Sequence, residues 1–513
     1  MSTTPGTSFE RRCDTNERVS FESGRRWRRM IFDGSDCGPH RLFYWFFLTW
    51  QLLLLLGVGG CTARPEQELP ARVETRFDVV ISARYVVTMD ADENVYEPGF
   101  VGVQGDTIIE VGRWDPVLAR EARTVVEAPR SLILPGLING HQHAPMSLLR
   151  GIADDRELMS WLQDYIFPAE ARNVDPDLVY WGTMLSTAEM ISRGTTTFAD
   201  MYYYEEEVAK AVANAGMRGI LGQTIIDFPA PDYETPERAV EGARRFILDW
   251  RNHPLVIPAI APHAPYTCSP AVLIKCKQLA DELDAPLLIH LAETEAEVEQ
   301  LLEAQGIRPI QFLEQIGFLS DRVIAAHVVW ANRTEIDLLR LRKVGVIHNP
   351  ESNMKLASGV APITEMLNAG VEIGLGTDGP ASNNNLDLFQ EMDSMAKLHK
   401  ISRMEPTAIT ARDALSAATS GGARALNLGD RVGSFEPGKK ADLIVVNLEV
   451  PSAIPQYDLY SMLVYALDGA AFTDVMVDGR WLMRDRLLLT LDLDEISRQA
   501  VRIQSRIRES LRQ

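Results

Sequence analysis

Residues 135–146 read PGLINGHQHAPM. The apolar run Leu132-Ile133-Leu134 halts at Pro135-Gly136, and two histidines, His141 and His143, follow one residue apart. Residues i and i+2 of a strand project to the same side. The two imidazoles therefore face one way from a strand end, and such a pair can share a divalent metal at about 2.0–2.1 Å each. Alone, an HxH pair is more often a packing feature than a site, so its reading depends on the rest of the chain.

Seven more apolar, strand-like runs follow. With the first, they end at His143, near Asp200, near Gln223, and at His263, His290, His327, His348 and Asp378. Amphipathic segments lie between them, such as 237–250 and 271–283. Eight strand–helix units predict an α/β fold, a (β/α)8 TIM barrel. Barrels of this kind build active sites at the carboxyl ends of their strands. Six of the chain's nine histidines stand at such ends, together with Asp378. Packing does not explain that pattern; a metal site does.

Short β segments precede the barrel: 79–81, 85–87, 99–103 and 107–111, with a Gly105-Asp106 turn. Similar ones follow it, at 441–447 and in a hairpin over 475–482 that turns at Asp478-Gly479. The implied organisation is 77–134 and 431–490 as two parts of a small β-sandwich from both chain ends. Residues 135–430 form the barrel, and 491–513 form a packing helix.

The chain has 513 residues and a net charge of −20. Residues 1–60 hold eight Arg and six Asp or Glu (+2), so the rest carries −22. An acidic body lacks the positive footprint that nucleic acid requires. The five cysteines are odd in number and form no CxxC pair, which argues against a disulfide framework. Arginines at 25, 26, 28, 29 and 41 precede an apolar run over 42–60, which reads as an export signal within 1–61. It ends Val58-Gly59-Gly60-Cys61, resembling the lipobox of bacterial lipoproteins, so lipidation at Cys61, a tether over 62–76 and membrane attachment are expected. The alternatives are a plain signal peptide or an uncleaved anchor; Met30 also suits a start, and without a working signal the protein is cytoplasmic.

The motifs PGLINGHQH, APHAPYTCS, HLAETEAEVE, HNPESNMKLASGVAP, GLGTDGPASNNNLDLFQEM and FEPGKKADLIVVNL resemble the amidohydrolase superfamily. The resemblance lies within the branch of methylthioadenosine/S-adenosylhomocysteine deaminases and triazine chlorohydrolases, and covers about 77–490. It implies a barrel with a small β-sandwich and a metal held by His141, His143, His290 and Asp378. Such ligands suit Zn²⁺, and also Fe²⁺ or Mn²⁺. Two-metal relatives use a modified lysine at the end of strand four; here that strand ends in His263, so one ion is expected. The resemblance further implies Asp378 as proton acceptor, His327 orienting the attacking water, and Glu293 protonating a ring nitrogen of the substrate. It assigns Glu170 to ribose hydroxyls and His263 to the substrate pocket. Glu295, Glu297 and Glu299 read as a solvated helix face. His348 reads as loop support, and His40, His253 and His399 as surface or packing residues. Gln223 stands where relatives acting on S-adenosylhomocysteine carry a carboxylate-binding arginine. The expected activity is hydrolytic deamination of an aminopurine nucleoside or related small heteroaromatic ring. The alternatives are removal of chloride, alkylamine or amide nitrogen from a triazine- or pterin-like ring, and a membrane-tethered solute-binding protein. A homo-oligomer is compatible with all three.

Overall fold

The computed structural model describes residues 75–512. The export signal, Cys61, Met30 and nearly all of the expected tether lie outside the described residues. Among the described residues no helix is long and apolar enough to cross a membrane.

Eight parallel strands form one sheet in strict sequence order. They are β1 (Leu137–Gln142), β2 (Thr195–Tyr202), β3 (Arg218–Ile225), β4 (Val256–Pro262), β5 (Leu287–Leu291), β6 (Val323–His327), β7 (Gly345–His348) and β8 (Ile373–Leu375). Strands buried on both faces need no polar alternation. One face fills the barrel interior with Ile138, Met201, Ile220, Leu288, Ile324 and Ile347; the other meets the helices. In the helix Pro236–Trp250, Thr235 caps the first turn and Phe246, Ile247 and Ala243 turn inward. The barrel closes where the Asp378 N–H donates to the His141 carbonyl at 2.9 Å. Gly376 permits this approach, because a Cβ there would lie 2.7 Å from His141 N.

Strands from both chain ends share a second, nine-stranded sheet. Leu443–Asn447 pairs antiparallel with Ala122–Pro135, which runs parallel to Phe77–Val87. Ile81, Val101, Val103, Ile133, Leu443 and Met476 make its core. The sheet is tied to the barrel by Arg218. This fully buried β3 side chain binds both oxygens of Asp442 (3.1 and 3.2 Å) and Asp478 Oδ1 (3.0 Å).

One reading of the flanks needs correction. Segments 79–81 and 85–87 are one strand, Phe77–Val87, with a register irregularity between Ala83 and Tyr85. The run Leu132–Leu134 stops short of the histidines. It ends the outer strand Ala122–Pro135, and Gly136 separates that strand from β1. A Cβ at Gly136 would overlap Thr196, so the chain crosses between the two sheets where no side chain fits.

Candidate metal centre and active-site cavity

At the carboxyl ends of the strands the backbone leaves regular geometry where function gathers. Ala292, His327, Val328 and Asp378 all have positive φ (49°, 72°, 50° and 60°). Non-glycine residues rarely adopt such angles, and surrounding structure must hold them there. His327 closes β6. Asp378 lies three residues beyond β8, and His143 one residue beyond β1.

Four side chains converge. His143 Nδ1 lies 2.7 Å from the Met201 carbonyl and His290 Nδ1 2.8 Å from the His263 carbonyl. A carbonyl only accepts, so each Nδ1 carries the proton and each Nε2 presents a lone pair. Those two Nε2 atoms face each other at 3.2 Å. The buried His141 Nε2 has no hydrogen-bond partner. Asp378 Oδ1 lies 3.4 Å from His141 Nε2 and 3.3 Å from His143 Nε2. Facing lone pairs beside a carboxylate repel unless a cation sits among them, so the donor set fits a divalent metal. His141, His143 and His290 form one compact group of ligand atoms; His141, His327 and Asp378 form another. Lys275 and Lys277, on the helix Pro270–Leu283, pair with Glu237 and Asp281 rather than facing this centre.

Asp378 is held from behind. Ser352 and Ser382 hydroxyls donate to its Oδ2 at 2.7 and 2.9 Å, and Gly379 N–H donates to Oδ1 at 2.7 Å. Burial pushes its carboxyl up, but the adjacent His141 and His143 imidazoles outweigh that and hold it well below the usual range. His327 Nδ1 bonds Asn353 Oδ1 at 2.9 Å, which turns its Nε2 toward Glu293 Oε2 at 3.7 Å. Burial raises the Glu293 carboxyl, favouring the protonated acid, with the His327 charge opposing.

His143, His290, Glu293, His327 and Asp378 line one cavity that opens to solvent. Glu170 and His263 line it too. Glu170 is buried, not an exposed helix-start acid; it accepts the Tyr202 hydroxyl at 2.6 Å, and burial pushes its carboxyl up to about 7. His263 Nδ1 lies 3.0 Å from Thr267 Oγ1, its ring 4.7 Å from that of His290. Leu158, Trp161, Leu162, Phe167 and Leu356 form an apolar wall. Among the described residues no lysine or arginine lines the cavity.

Two sequence-based readings fail here. Gln223 does not reach the cavity. Alternation along β3 turns Thr224 inward and Gln223 outward, where its Nε2 donates to Asp232 at 2.8 Å in a separate groove. Glu297 is not part of a solvated face. It is buried and accepts the N–H groups of Ala292 and Glu293, while Glu295 and Glu299 are exposed. His348 meets His399 Nε2 to Nε2 at 3.2 Å, both buried away from the cavity lining. Sequence reasoning missed Tyr202, Ser352, Asn353 and Ser382. The last three lie inside the HNPESNM and ASNNN motifs, but nothing in residue type alone marks their direction.

The amidohydrolase family model matches residues 132–482. A 5-methylthioadenosine/S-adenosylhomocysteine deaminase of Syntrophobacter fumaroxidans is 48% identical over 424 residues, covering 82% of this chain and 96% of the relative. The zinc-bound structure of an adenosine deaminase from Xanthomonas campestris superposes with a TM-score of 0.82. It is 39% identical, over 84% of this chain and 99% of that one. The zinc complex of an atrazine chlorohydrolase from Arthrobacter aurescens has a TM-score of 0.78 at 25% identity, over 83% of this chain and 100% of that one. By motif, fold, donor set and these likenesses, the chain belongs to the amidohydrolase family.

Proposed function

We propose that the protein is a metal-dependent hydrolytic deaminase of a 6-aminopurine nucleoside. Overall, water adds at the ring carbon bearing the amino group, and ammonia leaves to give the 6-oxo ring. The observation that carries this reading is Glu293. Its acid-favouring carboxyl and His327 Nε2, 3.7 Å apart, stand in one cavity with the four-donor centre. His141, His143, His290 and Asp378 would hold one divalent ion; the zinc-bound relatives favour Zn²⁺. Such a metal acidifies water, supplying the nucleophile at neutral pH. Asp378, ionised and fixed by two serines, accepts the proton of the attacking water. Glu293 gives a proton to the ring nitrogen, making the adjacent carbon electrophilic. His327, held by Asn353, stabilises the developing charge. Glu170, fixed by Tyr202, accepts ribose hydroxyls. The apolar wall favours an uncharged 5′ substituent such as a methylthio group.

A panel of 6-aminopurine nucleosides, pterins and chlorotriazines, followed by ammonia and chloride release, tests the reading. Ammonia from the nucleosides supports it. Chloride from a triazine without nucleoside turnover defeats it.

We also infer export and membrane attachment through lipid on Cys61, on the basic start, the apolar run and the lipobox-like Val58-Gly59-Gly60-Cys61. Acyl labelling abolished by Cys61→Ser supports this; unprocessed protein in the cytosol contradicts it.

A further inference from the structure

We propose that Glu297 is a positioning residue that fixes the turn aiming Glu293 into the cavity. The catalytic consequence rests on the deaminase reading; the geometric content does not.

β5 ends at Leu291, and Glu293 must leave the strand direction to enter the cavity. Ala292 makes that bend at φ 49°, a conformation that nothing local favours for alanine. Beyond the strand end, the N–H groups of Ala292 and Glu293 have no ladder partner. Glu297, in the first turn of the helix Glu295–Gln305, reaches back to both. Oε1 accepts Ala292 N–H at 3.0 Å and Oε2 accepts Glu293 N–H at 2.7 Å. One planar carboxylate thus fixes two successive amides. On the other side, Trp330 N–H donates to the Ala292 carbonyl at 3.0 Å. The bend is held from both edges, and Glu293 is presented to His327 (3.7 Å) and to the Ser358 hydroxyl (3.5 Å).

The helix itself does not need this acid. Thr294 already caps it, its hydroxyl accepting Glu297 N–H at 3.2 Å. Burying a carboxylate is costly, and burial pushes this one up to about 8 against its backbone hydrogen bonds. A buried acid whose two oxygens are spent on the two amides flanking the bend acts on the bend.

The test compares zinc-loaded full-length wild type with E297Q, E297D, E297A and T294A. Glutamine keeps one acceptor and turns an NH₂ toward the second amide; aspartate keeps the carboxyl group but reaches one amide only. Kcat should fall roughly 10- to 100-fold in E297Q, as expected for displacement of a reacting group by about 1 Å. E297D should be intermediate and E297A lowest. KM should stay within about threefold and metal content should not change. Affinity for a tetrahedral 1,6-dihydropurine nucleoside, which presents a ring N–H to Glu293, should fall in step with kcat. T294A should lower Tm and leave kcat near wild type. Crystals of E297Q should show the Glu293 carboxyl withdrawn from His327. Equal kcat losses in T294A and E297Q, or Glu293 unmoved in E297Q crystals, overturn the proposal. Absence of nucleoside turnover in wild type defeats the deaminase reading instead, and the crystals still decide the role of Glu297.

Discussion

His143 and His290 point their Nε2 atoms at each other across 3.2 Å, while each anchors its Nδ1 proton on a main-chain carbonyl. Neither ring can rotate or change tautomer without breaking its anchor. The pair is therefore preset for a cation rather than for a shared proton, and Asp378 supplies the counter-charge.

Metal removal should lower both activity and stability. A ligand at about 100 times its Kd stabilises the folded state by about 2.7 kcal/mol. Chelated protein should melt at lower temperature, and zinc should restore Tm and turnover together. His141→Ala should bind no stoichiometric metal by elemental analysis. Unchanged Tm on chelation would show that the four donors hold nothing tightly.

Glu293→Gln should separate chemistry from metal binding. The amide cannot deliver a proton to the ring, so kcat should drop roughly 10²- to 10⁴-fold. Zinc content should equal that of wild type. Near-normal turnover would remove Glu293 from the reaction.

Glu170 should give the Michaelis constant a pH dependence. Burial raises its carboxyl to about 7. Below that pH it is protonated; above it, the carboxylate can accept two ribose hydroxyls. KM for a ribonucleoside should fall as pH rises through about 7, and Glu170→Gln should flatten the profile. The sign for stability is opposite. An acid with a raised folded-state pKa contributes most below its unfolded value, and that contribution is lost as pH rises through about 7. A KM profile that is flat in wild type would contradict this role.

Substrate choice at the 5′ position should follow the wall, not Gln223. With no lysine or arginine among the described residues lining the cavity, kcat/KM should favour 5′-methylthioadenosine over S-adenosylhomocysteine. Gln223→Arg should leave that ratio within about twofold, because its side chain bonds Asp232 in another groove. Leu158→Arg places a guanidinium on the wall and should shift preference toward the carboxylate-bearing substrate. A shift produced by Gln223→Arg instead would mean that β3 presents that side chain to the cavity.

The barrel was legible because four of its strands end at or beside a histidine that packing does not ask for: His263, His290, His327 and His348. The four side chains that converge at the candidate metal centre were legible by their motifs. What escaped was direction. Gln223 and Thr224 are adjacent, and only the strand's register decides which of them faces inward. Glu297 looked like its neighbours Glu295 and Glu299 because charge runs on helices are usually solvated. Its burial follows from the bend at Ala292, which leaves two amides for it to bond.

Arg218 tests the joint between the sheets. It is fully buried, and its charged partners among the described residues, Asp442 and Asp478, flank strands of the second sheet. Arg218→Ala strands Asp442 in the interior and should destabilise by about 3–5 kcal/mol, measured by denaturant unfolding. A loss below about 1 kcal/mol would show that the joint rests on apolar packing alone.

The central claim, metal-assisted water addition to an aminopurine ring, is tested most directly by isotope. Zinc-loaded protein turns over 5′-methylthioadenosine in ¹⁸O-water, and mass spectrometry follows the product alongside ammonia release. One ¹⁸O should appear at the former amino-bearing carbon with one ammonia per turnover, both abolished by chelation. Unlabelled product, label on the ribose, or no ammonia from any 6-aminopurine nucleoside would contradict the central claim.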